Sequence, residues 1–159
     1  MRVTSRADYG VRAAIHLAAS PDEPVNAEAI ATAIDAPRKF LESILGELRV
    51  AGVVRSQRGA SGGYRLARPA DEIAIADIIR ATEGPMAQVR GEPAEDLEYP
   101  DALATLQEVW VAVRAAVRDV LEGVTVADVA SGTLPERVRR LASDPVSWES
   151  TSQRRSRTR

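Results

Sequence analysis

The chain has 159 residues, 45% of them apolar and 4% aromatic, with a formal net charge of −2. It contains no cysteine and one histidine, His16, which excludes disulfides, thiolate zinc sites, cysteine-ligated iron–sulfur clusters, cysteine nucleophiles and multi-histidine metal sites. It has no apolar run long enough to span a bilayer, and Met1-Arg2-Val3-Thr4-Ser5 begins no apolar signal region, so a cytoplasmic protein is expected.

Thr4 or Ser5 can cap a first helix running to about Ala19, and Ser5-Arg6-Ala7-Asp8 fits a capping box. His16 falls in its apolar stretch and reads as a packed or surface residue. Ser20-Pro21-Asp22-Glu23-Pro24 ends the helix in a polar turn. Asn26 caps a second helix from Ala27 to about Ile34. Pro37 then suits the first position of a third helix, where a missing N–H costs nothing. Phe40, Leu41, Ile44, Leu45 and Leu48 recur at helical spacing and form its expected buried face. Arg38, Lys39, Glu42, Ser43 and Gly46 fall on or near the opposite side, and Gly52 closes the helix after about Ala51.

Two strands follow, at about 53–57 and 63–67, joined by a loop of arginine, glycine and serine. A basic helix followed by a basic hairpin is the pattern of a winged helix-turn-helix. The helix can enter a major groove and the hairpin can reach the adjacent minor groove. The charge agrees. Residues 36–68 carry seven cations (Arg38, Lys39, Arg49, Arg55, Arg58, Arg65 and Arg68) against Glu42 and Glu47, whereas residues 69–143 carry seven cations against 14 acids. Phosphate neutralisation needs positive charge concentrated in this way.

Ile73, Ile75, Ile78 and Ile79 place a fourth helix at roughly 75–83, stopped by Gly84-Pro85. Residues 86–100 read as an acidic loop, with Glu92, Glu95, Asp96 and Glu98 broken by Gly91, Pro93 and Pro100. A long helix is expected from near Asp101. Leu103, Leu106, Trp110, Val113, Val117, Val120 and Val124 follow one another in alternating steps of 3 and 4, a heptad seam expected to pair with a second copy of the chain. Thr125-Val126-Ala127-Asp128 is a second capping box, opening a short helix to about Ala130. Pro135 to Leu141 reads as one or two helical turns. Disorder is expected from Ser143 onward, in a tail whose arginines can add loose phosphate contacts. The expected organisation is a winged domain at 1–85, a loop at 86–100, a dimerisation helix and short following helix at 101–132, and a tail at 133–159.

These residues resemble a known family. The resemblance is carried by Thr4-Ser5-Arg6-Ala7-Asp8-Tyr9-Gly10, by Lys39-Phe40-Leu41-Glu42 and by Arg58-Gly59-Ala60-Ser61-Gly62-Gly63-Tyr64-Arg65-Leu66. Ile75-Ala76-Asp77-Ile78-Ile79-Arg80-Ala81-Thr82-Glu83-Gly84-Pro85 and Val109-Trp110 extend it over about residues 1–132. The chain looks like a member of the Rrf2 family of bacterial winged-helix transcription regulators. The resemblance implies a mainly α fold with a small β-hairpin wing, homodimers joined by the long helix, and a roughly palindromic DNA operator. It implies base contacts from Lys39, Glu42 and Ser43, and a minor-groove contact from Arg58. Gly59, Gly62 and Gly63 match the family's wing glycines, beside Ser61, while Arg38 and Arg49 complete the expected DNA-binding set.

Two departures matter. Cluster-binding members carry three cysteines in the loop that here runs 86–100, and this loop has none. Asp8 matches a non-cysteine cluster ligand of some members, but one carboxylate cannot hold a cluster. No cofactor and no metal site are therefore expected, and any signal is a small-molecule effector or a partner protein. The third helix also opens Ala36-Pro37 instead of with a serine cap, so the family's operator preference does not transfer. A winged dimer that binds protein instead of DNA is the alternative reading. An enzyme is a third, and no catalytic set of residues supports it.

Overall fold

The computed structural model describes residues 3–59 and 61–149. Its first helices are α1 (Ser5–Ala18), α2 (Ala27–Ala33) and α3 (Arg38–Val50). Thr4 caps α1, its side-chain oxygen accepting from the backbone N–H groups of Arg6 and Ala7. With Thr4 in that place, Asp8 is one residue too far along to close a capping box and instead meets Arg12 at 3.5 Å. Asn26 caps α2 as expected, accepting from the Ala29 N–H at 2.8 Å. Pro37 stands just outside α3 in an extended conformation, not at the first helical position. Its carbonyl still accepts the first helical bond, from Leu41 at 3.0 Å.

The core lies where α1, α3 and α4 (Ile75–Glu83) meet. Leu17, Leu41, Ile44, Leu45, Leu48 and Ile78 are fully buried there. Each such side chain is worth roughly 1.5–3 kcal/mol. Phe40, expected on the buried face, is instead 36% exposed. One residue before Leu41, it sits at the rim of the apolar stripe. Its ring meets Tyr9 edge-on at 6.0 Å, and the Arg6 guanidinium lies over it at 5.7 Å.

The hairpin pairs β1 (Val54–Gln57) with β2 (Gly63–Leu66), Val54 opposite Leu66 and Gln57 opposite Gly63. Val25 adds a third backbone to this small sheet. Its N–H donates to the Tyr64 carbonyl at 2.9 Å and its carbonyl accepts from Tyr64 at 2.8 Å. The wing is thereby tied to the turn between α1 and α2.

After α4 the chain leaves the winged domain and later returns to it. The Ile75 N–H donates to the Val124 carbonyl at 2.9 Å, and the Val126 N–H donates to the Ile73 carbonyl at 2.9 Å. Between these points lies α5 (Thr105–Glu122), which has no buried residue. Val124 and Val126 are buried, and α6 (Val126–Ser131) packs against α1. The Thr125–Asp128 capping box forms, with bonds of 2.8 and 3.1 Å.

The loop at 86–100 is more built than its composition indicates. Ala94 and Leu97 are buried, and a single 3₁₀ turn spans Ala94–Asp96. The chain past α6 is also more regular than expected. α7 (Glu136–Ser143) is followed by a 3₁₀ turn at Pro145–Trp148. Asp144 caps this turn at 2.9 Å, and the Trp148 indole N–H donates to the Ala142 carbonyl at 2.6 Å. The disorder expected from Ser143 therefore does not hold for residues 143–149; the tail arginines Arg154, Arg155, Arg157 and Arg159 lie outside the described residues. Among the described residues no helix is long and apolar enough to cross a membrane.

Candidate nucleic-acid interface

The exposed side of α3 and the tip of the hairpin carry the expected site. Arg38, Lys39, Glu42, Ser43 and Arg49 are all exposed on α3, and Arg58, Gly59 and Ser61 are exposed at the wing tip. Arg38, Glu42 and Arg49 share one face through spacings of 4 and 7 residues.

The glycines of the wing have separate reasons. Gly59 has φ +112, a conformation that side chains rarely adopt. Gly62 and Gly63 are required by close packing. A Cβ on Gly62 would collide with the Gln57 carbonyl oxygen, and one on Gly63 would lie 2.5 Å from the Val25 carbonyl. The Gly62 N–H closes the turn onto the Gly59 carbonyl at 2.9 Å.

Arg38 is committed inside the molecule. Its Nε donates to Glu42 at 3.0 Å and its Nη1 donates to Glu28 at 3.1 Å. The Glu42 hydrogen bond, then the charge of Glu28, hold this guanidinium above its ordinary pKa. Lys39, Arg49, Arg55, Arg58 and Arg65 differ: among the described residues none of them has an ion pair, whereas Arg68 reaches Asp77 at 3.2 Å. Arg55 and Arg65 were absent from the expected contact set. The hairpin register places them directly opposite one another on one face of the wing. Like charges so placed repel, and an external anion relieves that repulsion. The alternation of β1 with β2 was the signal that could have found them.

The long helix presents its apolar residues in two strips. Leu106, Trp110, Val117 and Val120 are half-buried against the chain itself, and Trp110 donates to the Tyr99 hydroxyl at 3.1 Å. Val113 is 43% exposed, and Val109, a residue outside the expected seam, is 51% exposed. Leu103 and Val124 do not belong to the helix. Leu103 ends a 3₁₀ turn begun after Pro100, and Val124 follows Gly123 into the winged core. The heptad spacing extended past both ends of the helix because it takes no account of the proline and glycine that bound it.

Between α4, the loop and α5 lies a cleft of ≈ 510 Å³ lined by Arg80, Arg114, Arg118 and Glu95, with Pro85, Met86 and Pro93 among its apolar walls. Arg114 pairs with Glu95, and Arg80 and Arg118 both pair with Glu122. Glu95 is held below its ordinary carboxylate range by its own backbone N–H and by Arg114. Glu122 is lowered by Arg118 and Arg80.

A helix with an exposed polar face, a glycine wing and unpaired cations on both define a DNA-binding winged-helix protein. The chain belongs to the Rrf2 family of transcriptional regulators, whose model, described as an iron-dependent transcriptional regulator, matches residues 3–132. A protein of Mycobacterium tuberculosis described as an HTH-type transcriptional regulator is 47% identical over 152 residues, covering 95% of this chain and 94% of that one. The HTH-type transcriptional regulator CymR of Bacillus subtilis is 38% identical over 134 residues, covering 84% of this chain and 92% of that one. Its solved structure, described as that of the global cysteine regulator, superposes with a TM-score of 0.70 at 36% identity, covering 84% of this chain and 98% of that one. The structure of IscR from T. potens gives a TM-score of 0.68 at 33% identity, covering 83% and 88%.

The iron named in the family description does not fit these residues. The chain has no thiolate. Among the described residues no three His, Asp or Glu side chains stand close enough to hold a metal ion. Glu95 is taken by Arg114 and Asp8 by Arg12.

Proposed function

We propose that the protein is a homodimeric, operator-specific regulator, acting in the cytoplasm as a repressor. The observation that carries this reading is the set of unpaired cations on α3 and the wing: Lys39, Arg49, Arg55, Arg58 and Arg65. A surface with this many cations free of internal acids among the described residues suits a polyanion, whose phosphates it can neutralise. In this reading α3 lies in the major groove, with Lys39 and Ser43 at base edges and Arg49 on phosphate. Glu42 and Glu28 fix the direction of Arg38 through Nε and Nη1, so that Nη2 is left to meet a base edge. Arg58 enters the minor groove, and Gly59, Ser61, Gly62 and Gly63 bring the wing backbone close to the sugar–phosphate chain.

Pairing along α5 joins two winged domains, and the twofold axis makes the operator a rough palindrome. The bare Val109 and Val113 support this pairing, with Leu106 and Val120 beside them and Trp110 and Val117 at the edge. A dimer seated on a promoter occludes it, which makes repression the direct outcome. No iron–sulfur cluster takes part, and the signal is a metabolite or partner protein received at the loop beside α5.

The test is to sequence the genomic fragments retained by the purified protein and then titrate binding to the enriched sequence against salt. The expected result is one inverted-repeat motif, bound with a steep salt dependence and a preference that survives at physiological salt. Retention of random fragments would refute operator specificity. No DNA binding at low salt would leave a winged protein-binding module as the correct reading.

A further inference from the structure

Arg114 is the least exposed cation of any ion pair among the described residues, with 18% of its side chain accessible, and it stands in the same cleft as Arg80 and Arg118. Three guanidiniums in one cleft repel one another unless anions separate them. The chain supplies two carboxylates for this. Glu122 takes Arg80 and Arg118 on a single oxygen, and Glu95 reaches Arg114 from the loop. Arg80 has a more distant second acid, Asp77, at 3.6 Å, which is itself engaged by Arg68. Arg118 donates to Glu122 through Nε alone, which leaves its two terminal nitrogens without a hydrogen-bond partner among the described residues.

The two acids are held differently. Glu122 belongs to α5. Glu95 sits on a short turn, its side chain 54% exposed, and the hydrogen bond that the Gln107 side-chain amide donates to its backbone carbonyl, 2.9 Å, does not depend on its carboxylate. The carboxylate of Glu95 can leave while the loop stays attached.

We propose that the cleft between α4, the loop and α5 binds a small acid bearing two or more carboxylate or phosphate charges, and that Glu95 occupies Arg114 until that acid displaces it. The planar forks of Arg114 and Arg118 take the ligand's anionic oxygens. Pro85, Met86 and Pro93 meet its short carbon skeleton. The cleft, ≈ 510 Å³ and open to solvent, has room for such a molecule. The site gives the regulator a signal without a metal, because the ligand contacts the end of the winged domain through Arg80 and the pairing helix through Arg114 and Arg118 at once. The regulatory meaning of the site rests on the dimeric-regulator reading; the site itself does not.

The experiment is calorimetric titration of the purified full chain with succinate, citrate and inorganic phosphate, each at ionic strength matched with chloride. Operator binding of the unliganded protein is measured in parallel. Saturable binding of succinate or citrate assigns the carboxylate class; saturation by phosphate instead assigns the phosphate class. Arg118→Ala is expected to weaken that binding at least tenfold, and Glu95→Gln to strengthen it several-fold by removing the resident competitor. Thermal unfolding of Arg118→Ala close to that of the natural chain keeps the loss attributable to the site. Absence of saturation by all three probes overturns the inference, as does binding that Arg118→Ala leaves unchanged or Glu95→Gln weakens. If operator binding persists while no acid binds, the inference falls alone. If acids bind and no DNA does, the regulator reading falls and the site remains.

Discussion

Residues 36–68 and residues 69–143 carry seven cations each, but the two segments use them in opposite ways. In the first, Arg38 and Arg68 have intramolecular acids and the other five, all on α3 or the wing, have none among the described residues. In the second, five of the seven (Arg80, Arg114, Arg118, Arg137 and Arg139) are in ion pairs, and Arg90 lies over the Tyr99 ring. The first surface is incomplete without an outside anion. The second is largely neutralised from within, which leaves the exposed valines of α5 as the surface proposed to meet a second chain. Net charge alone hides this difference, because it counts acids without saying which cations they reach.

The contrast breaks first if α5 does not pair. Val113→Asp would place two like charges together at the twofold axis, a cost of several kcal/mol. The expected outcome is a single-chain mass by light scattering and loss of operator binding, with the helical circular dichroism retained. A variant that stays dimeric moves the pairing surface elsewhere. A smaller effect is expected at the wing tip. Arg58→Ala should weaken operator binding by about 1–3 kcal/mol, the usual worth of a groove contact. Unchanged affinity at physiological salt would remove the wing from the interface. Gly63→Ala tests the same element from inside, since the added carbon meets the Val25 backbone at 2.5 Å. It should destabilise the fold by about 1–3 kcal/mol in thermal or urea unfolding, and an unshifted midpoint would mean that the wing is not tied to Val25.

Glu42→Ala sharpens the contrast by making Arg38 more like its unpaired neighbours. Arg38 then keeps Glu28 alone. Affinity for arbitrary DNA is expected to rise about twofold, the worth of an exposed helical pair, while preference for the operator falls. An equal rise for both DNAs would reduce Glu42 to a surface partner of Arg38. The paired half is tested by acid. The pKa values of Glu95 and Glu122 are lowered in the folded state. Their contribution is therefore complete above the ordinary glutamate value of 4.5 and is lost as pH falls through the lowered values. Hydrogen exchange in α5 and the loop, corrected for intrinsic rates, should accelerate over that range. Exchange in the hairpin should not, since among the described residues Arg55, Arg58 and Arg65 have no carboxylate partner to lose.

What could be read from the residues was whatever local chemistry decides. Asn26 opens α2 and Gly84 closes α4 where expected, because a cap and a positive-φ glycine act within one turn of chain. The wing was legible because its glycines are a turn signal whatever surrounds them. The misses are tertiary. Phe40 fits the helical spacing of a buried residue, yet which edge of the stripe is covered depends on where α1 lies. The pairing of Val25 with Tyr64 joins segments 39 residues apart by backbone atoms, which no side-chain pattern reports. The cleft arginines come from two helices more than 30 residues apart, and charge along the chain gives no sign that they converge.

The return of the chain at Val124 fixes α5 at one end. Backbone hydrogen bonds on either side of Val124 and Thr125 hold that end to the winged domain, while the other end rests on the loop. The helix is thus a lever with its fulcrum at Gly123 and its load at the loop. Its 18 residues give an arm of about 27 Å, so moving the loop end by about 2 Å swings it by about 4°. In a symmetric pair each arm turns in the opposite sense, and the angle between the two fulcrums changes by twice that amount. In such a pair, the proposed exchange of a small acid for one carboxylate would be geared directly to the separation of two reading heads.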